Sequence, residues 1–202
     1  AADFASTVAE NQTAPSTRFV EARWTLSRGA TDPVDPSVAD MPQLVARLVA
    51  RYGSAATATG IHAYALDNEP ALWFQNHPRL TPRRIGIGDF IARSIDAARA
   101  IKTIDPAARI FGPASWGATE MVSFQDAPDW EAYRKFGSFL AAYLDAFRQA
   151  SEQDGRRLLD VLDVHWYPFH RAGGLFRTER DDLDEALLDA PRSLTEAGFV
   201  ED

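Results

Sequence analysis

Apolar positions return along this chain with two alternating rhythms. Leu44, Val45, Leu48, Val49 and Tyr52 recur at helical spacing, with Asp40 placed to cap, Pro42 in the first turn and Gly53 at the end. The run that starts at Gly60 (Ile61, Ala63, Ala65, Leu66) is continuous and suits a buried strand over about 60–68. Phe90, Ile91, Ile95, Ala98 and Ile101 predict a second helix stopping before Asp105-Pro106, and Arg109-Ile110-Phe111-Gly112-Pro113 a short strand running into Ser115-Trp116-Gly117. Phe136, Phe139, Leu140, Tyr143, Leu144 and Phe147 share one face of a third helix, expected over about 130–151. A strand over 158–167 ends at Pro168, and Leu183, Ala186 and Leu187 suggest a fourth helix. Residues 1–37 read as loop, with one short strand around 19–24.

Strands alternating with helices of this length predict a parallel sheet with right-handed crossovers. Three or four strands are too few for a closed barrel, which takes eight strands and usually about 250 residues. Two architectures remain for the 202 residues: a small open sheet, or a piece of a barrel. Each strand ends its apolar run in polar and aromatic groups on its C-terminal side, namely Asn68-Glu69, Ser115-Trp116 and His165-Trp166-Tyr167. Chemistry offered at one end of several strands favours the barrel piece. The fold class expected is α/β, part of a (β/α)8 TIM barrel and not a complete one.

The strand end at Asn68-Glu69-Pro70 carries the strongest candidate chemistry. Proline has no amide for a ladder and pushes the residue before it away from helical geometry. Glu69 and Asn68 therefore stand at a strand lip. A carboxyl there transfers protons, an amide hydrogen-bonds a sugar hydroxyl, and the indole of Trp73 offers a flat face to a pyranose ring. The competing reading makes Asp67 and Glu69 solvated loop acids and Trp73 a core residue. Trp116, on a turn framed by Gly112-Pro113 and Gly117, suits either a sugar platform or a lid over the core. His165 and Tyr167 are two apart and share a strand face, with Asp163 one step deeper. They suit sugar binding and the orienting of carboxyls, or a satisfied core histidine packed by a tyrosine.

Composition narrows the classes. The formal charge is −8, and no Lys/Arg cluster is interleaved with aromatics, which argues against a nucleic-acid surface. Cysteine is absent, removing disulfides and thiolate chemistry. No apolar run approaches the roughly 18 residues of a membrane span. The chain opens Ala1-Ala2-Asp3-Phe4, without Met or a signal pattern, as a segment from within a longer protein would. Glu120, Asp126, Asp129 and Glu131 cluster in sequence but lack the spacing and glycine of an EF-hand. His62, His77, His165 and His170 form no close ligand pair. No cofactor and no catalytic metal is implied, and a structural calcium is the one ion left room for. Gly86-Ile87-Gly88 lacks the third glycine and preceding strand of a dinucleotide loop.

Longer strings carry a family resemblance. Tyr64-Ala65-Leu66-Asp67-Asn68-Glu69-Pro70-Ala71-Leu72-Trp73, followed by His77-Pro78-Arg79, resembles the acid/base segment of glycoside hydrolase family 44, which contains endo-β-1,4-glucanases and xyloglucanases. The resemblance continues through Ala100-Ile101-Lys102, Asp105-Pro106-Ala107, Gln125-Asp126-Ala127 with Asp129-Trp130, and Leu158-Leu159-Asp160-Val161-Leu162-Asp163-Val164-His165-Trp166-Tyr167-Pro168, and ends at Ala190-Pro191-Arg192-Ser193-Leu194. It implies a (β/α)8 barrel and retaining hydrolysis of β-1,4-glucan by two glutamates. Glu69 matches the family's general acid/base, and Asn68, Trp73, Trp116, His165 and Tyr167 fall to substrate binding.

The family's nucleophile sits in an Ile-Thr-Glu-Tyr-like segment that these residues do not contain. Residues 1–202 are thus expected to be a partial catalytic domain, without the first strands and the nucleophile-bearing strand. The resemblance further implies a secreted bacterial enzyme, monomeric within a longer polypeptide, with a β-glucan as its partner and neither nucleic acid nor membrane. The isolated chain is expected to be inactive and poorly soluble, because strand edges and a barrel-interior face lie open. Two other readings stand beside this one. A carbohydrate-binding protein would use Trp73, Trp116 and Tyr167 without catalysis. A self-contained open-sheet enzyme would draw a second carboxylate from Glu120, Asp163 or Asp129.

Overall fold

The computed structural model of the protein describes residues 21–23, 38–77, 81–167 and 190–198. The chain divides into two units, 1–164 and 165–202. In the first, β1 (Glu21–Arg23) pairs parallel with β2 (Val38–Asp40), and a second parallel sheet has the order β3 (Ala63–Ala65), β4 (Arg109–Ser115), β5 (Val161–Val164). Between them run α1 (Met41–Tyr52), α2 (Trp73–Asn76), α3 (Ile87–Ile104), α4 (Ala118–Ser123), α5 (Trp130–Tyr133) and α6 (Phe139–Asp154). The second unit contributes a 3-10 turn at Ala190–Leu194. The fourth helix expected near Leu183 lies outside the described residues. The mixed α/β class with parallel strands is as the sequence predicts.

Local signals account for α1. The Asp40 side chain accepts from the Gln43 amide at 3.0 Å, and Gly53 closes the helix at φ 93°. The third helix departs from expectation. It is broken into α5, a 3-10 turn (Arg134–Phe136) and α6, because Gly137 takes φ 83° and Ser138 starts α6 afresh by capping the Ala141 amide at 3.1 Å. α4 and β2 are elements the hydrophobic pattern did not predict.

Helices cover one face of the three-stranded sheet. Ile110 is fully buried there with Phe90, Ala98, Ala142, Tyr143, Phe147 and Leu158. Gly112 faces the same way, where an added Cβ would stand 2.7 Å from the Tyr143 hydroxyl. Stacked and tilted rings tie the helices together: Phe90 on Phe124 at 5.0 Å, Phe124 on Phe139 at 4.6 Å, and Tyr143 on Phe147 at 4.7 Å. On the opposite face Phe111 is half-buried and its register partner Ala65 is exposed.

Two carboxylates, the half-buried Asp160 and the buried Asp105, fix the N-terminal end of this sheet. Asp160 Oδ2 accepts from Lys102 Nζ at 2.7 Å and from the Ile110 amide at 2.8 Å, which starts β4 in register. Asp105 takes the Ser54 hydroxyl and the Ala55 amide at 2.8 and 2.6 Å. Both pairs satisfy groups that would otherwise be costly to bury. Among the described residues no helix is long and apolar enough to cross a membrane.

Candidate functional site

The strand predicted over 60–68 is extended only at Ala63–Ala65, yet its pairing to β4 continues past that point. Leu66 donates to the Phe111 carbonyl at 2.8 Å, and the Glu69 amide donates to the Ala114 carbonyl at 2.9 Å. Between them Asp67 swings to φ 78°, and Glu69 itself sits at φ 50°. Pro70 disfavours the right-handed helical region for the residue before it, and Glu69 stands outside that region, in left-handed rather than extended backbone. Across the ladder Ala114 stands at φ 57°, where the β4–β5 register shifts. Such non-glycine positions cost on the order of 1–3 kcal/mol each, and surrounding structure must hold them.

That surrounding structure is visible. The Asp67 carboxylate accepts from the Asn68 amide at 2.7 Å and from the Trp73 indole at 3.2 Å, closing the loop on itself. Pro70 and Ala71 are buried beneath it, and Leu72 returns to the Glu69 carbonyl at 2.9 Å. The result is a turn that carries a half-buried Glu69 and an exposed Asn68 at the C-terminal end of the sheet.

Trp73 does not have the open face that a sugar platform needs. It is 6% exposed and packs edge-on against Phe90 at 5.7 Å, because the Asp67 bond and the buried 3-10 turn draw its ring into the core. Trp116 is half-buried, its indole held by Gln125 Oε1 at 3.0 Å, and Gln125 is fixed in turn by Thr119 and, through its carbonyl, by Arg84. His165 and Tyr167 belong to the second unit and follow the end of β5 at Val164, short of the strand expected to Tyr167; their rings meet edge-to-face at 6.1 Å.

A carboxyl that the sequence offered only as an alternative lies behind the lip. Glu120, in the first turn of α4, is fully buried, and its Oε2 accepts from the Trp116 amide at 3.3 Å. Its Oε1 and the buried Ser115 hydroxyl have no partner at full hydrogen-bond geometry. Burial pushes the Glu120 carboxyl up to about 7, and the charge of Glu69 adds to the rise. The Trp116 amide, the Ser115 hydroxyl and the Ala71 amide pull the other way. Nothing in the local sequence distinguishes Glu120 from a surface acid in the first turn of a helix.

Asp129, the other near candidate for a second carboxylate, caps α3 through the Ile87 and Gly88 amides at 2.8 and 3.0 Å. Asp126 holds the Ser123 hydroxyl at 2.8 Å. Among the described residues no group of three or more His, Cys, Asp or Glu is arranged to hold a metal ion.

The sequence model of Glycoside hydrolase family 44 matches residues 3–170. The chain is 43% identical over 204 aligned residues to Endoglucanase A of Paenibacillus lautus, covering 96% of this chain and 29% of that protein. It superimposes with a TM-score of 0.84 on Cel44A, a family 44 endoglucanase from Clostridium thermocellum, at 39% identity over 96% of this chain and 40% of the other. A Paenibacillus polymyxa family 44 xyloglucanase with xyloglucan gives 0.83 at 37% identity, over 96% and 39%. The chain thus spans less than half the length of each of these relatives.

Proposed function

Because this chain belongs to glycoside hydrolase family 44, we propose that it supplies the acid/base side of a retaining endo-β-1,4-glucanase or xyloglucanase site, with Glu69 as the proton-transferring residue. What carries the reading is the turn that holds Glu69 at the sheet's C-terminal end, half-buried, by the Ala114 carbonyl and the Asp67-to-Trp73 closure. A carboxyl in that setting is kept in one orientation while its head remains within reach of a ligand.

In the first half-reaction the Glu69 carboxyl gives its proton to the leaving glycosidic oxygen while a carboxylate nucleophile attacks the anomeric carbon. In the second it takes a proton from the water that hydrolyses the glycosyl-enzyme. Retaining enzymes place the two carboxyls about 5–5.5 Å apart. The nucleophile in this proposal comes from a later strand of a (β/α)8 barrel, in polypeptide beyond these 202 residues. The exposed side-chain amide of Asn68 is assigned a sugar hydroxyl and Trp116 a ring face; within the second unit, Tyr167 is assigned a ring face and His165 a polar contact. Trp73 is withdrawn from that set and becomes a support of the turn. No cofactor enters the scheme.

The substrate proposed is a β-1,4-linked glucan such as xyloglucan or a cellulose derivative. The relatives named endoglucanase and xyloglucanase support that class. Such polymers meet an enzyme outside the cell, so we assign the parent protein to secretion, as a monomer. The test uses a polypeptide of the relatives' full length that carries this chain. It should release reducing ends from xyloglucan or carboxymethylcellulose with retained anomeric configuration, and Glu69→Gln should lower turnover by about a thousandfold or more. Full turnover in Glu69→Gln overturns the assignment. The 202-residue chain alone should show no turnover.

A further inference from the structure

The mechanism above leaves one buried acid unused. Glu120 is sealed from solvent, so it cannot touch a sugar, yet it lies where the two strand-end segments of the site converge. Its Oε2 takes the amide of Trp116 at 3.3 Å, and the amide of Ala71 on the Glu69 turn also acts on it. Ser115, whose hydroxyl has no partner at full geometry, is the last residue of β4, directly after the Ala114 that accepts from the Glu69 amide.

Among the described residues no cation pairs with Glu120, and Glu69 is the one charged group that acts on it. A carboxylate buried without a counter-charge is costly, whereas a protonated one is not and brings an O–H donor. Glu120 Oε1, which lacks a partner at full hydrogen-bond geometry, can carry that proton, and the buried Ser115 Oγ beside it can accept it. A glutamate in the first turn of a helix that reaches back to a preceding amide explains one bond and nothing more.

We propose that Glu120 is a positioning residue for Glu69: it holds the Trp116 amide just past β4, beside the Ala114 carbonyl that fixes the Glu69 turn, and presents Glu69 with a neutral neighbour rather than a second charge. The inference rests on the acid/base reading of Glu69. Ionising Glu120 sets a second negative charge against that of Glu69.

Two measurements on the full-length polypeptide carrying this chain test it. In a ¹³C-carboxyl titration, the Glu120 signal should have its midpoint near 7, and Glu69→Gln should move that midpoint down. A midpoint unchanged by Glu69→Gln, or one in the ordinary carboxylate range, overturns the proposal. In the second measurement, Glu120→Gln keeps the neutral shape and should leave turnover on xyloglucan at pH 6 within about twofold, while shifting the alkaline limb of the kcat profile by about half a pH unit or more. Glu120→Ala should lower kcat by about tenfold or more, with KM within about twofold.

A Glu120→Gln profile that superimposes on the wild type, or a Glu120→Ala variant changed only in KM, overturns the positioning role. If the wild-type polypeptide cleaves no β-glucan, the acid/base reading falls instead. The titration then decides alone whether Glu120 and Glu69 are coupled.

Discussion

The amide of Glu69 donates to the carbonyl of Ala114 at 2.9 Å, and both residues hold left-handed backbone, at φ 50° and 57°. One irregular position on each of two neighbouring strands is therefore matched by the other, and the matched pair sets where the carboxyl of Glu69 stands.

Ala114 is 2% exposed, so its conformation tolerates neither branching nor bulk. Ala114→Val should destabilise the fold by about 2–3 kcal/mol, since a β-branched residue at positive φ adds strain to overpacking. Ala114→Gly should lie within about 1 kcal/mol of the wild type, relief of strain being set against the freedom glycine gains in the unfolded chain. Denaturant midpoints measured at constant slope check both.

Gly112 and Tyr143 form a second tested contact. A Cβ at Gly112 would stand 2.7 Å from the Tyr143 hydroxyl, which has no partner at full hydrogen-bond geometry. Gly112→Ala should cost about 1–3 kcal/mol, Tyr143→Phe less than about 1 kcal/mol, and the double variant should recover most of the loss. Additive losses in a double-mutant cycle would contradict the contact.

Glu120 gives the fold a pH dependence opposite to that of a salt-bridged carboxylate. Its folded value is raised from 4.5 to about 7, so the folded state binds the proton more tightly than the unfolded chain does. Its stabilising contribution is complete below about pH 4.5 and is lost as pH rises through about 7, amounting to about 3 kcal/mol at most. Glu120→Gln should flatten the fall in stability between pH 5 and 8, as read from denaturant midpoints across that range. An equal slope in wild type and variant would contradict the assignment.

Asp129→Ala removes the acceptor of the Ile87 and Gly88 amides at the start of α3. A loss of about 1–2 kcal/mol is expected, with amide exchange rising first at those two residues. Asp129→Asn should recover part of it, because its carbonyl oxygen still accepts.

The features readable in the sequence were those made by neighbours along the chain. Asp40, Pro42 and Gly53 bound α1 through contacts three or four residues apart, and Pro70 constrains Glu69 directly. The alternation of strand and helix needs only such local periods. Gly137 and Ser138 were local signals too, but the aromatic face that continues from Phe136 to Phe147 masked the break between α5 and α6.

What escaped was set by distance or depth. The cap on α3 comes from Asp129, 41 or 42 residues away, and Lys102 finds Asp160 across 58. Periodicity does not separate an indole stacked on a sugar from one drawn under a turn, so Trp73 was misplaced. Glu120 reads as a surface acid until β4 and the 69–72 turn close over it. Of the lip itself, Glu69 and Asn68 could be named from the sequence, and the support beneath them could not.

Ile110 and Phe111 are neighbours in β4 with opposite surroundings, one fully enclosed by helices and the other half-open on the sheet's second face. A substitution at the first is judged at once by an interior already complete. A substitution at the second is judged by whatever polypeptide comes to lie against it. These two successive codons of one strand therefore answer to different selective pressures, and descendants of this gene should diverge at Phe111 before they diverge at Ile110.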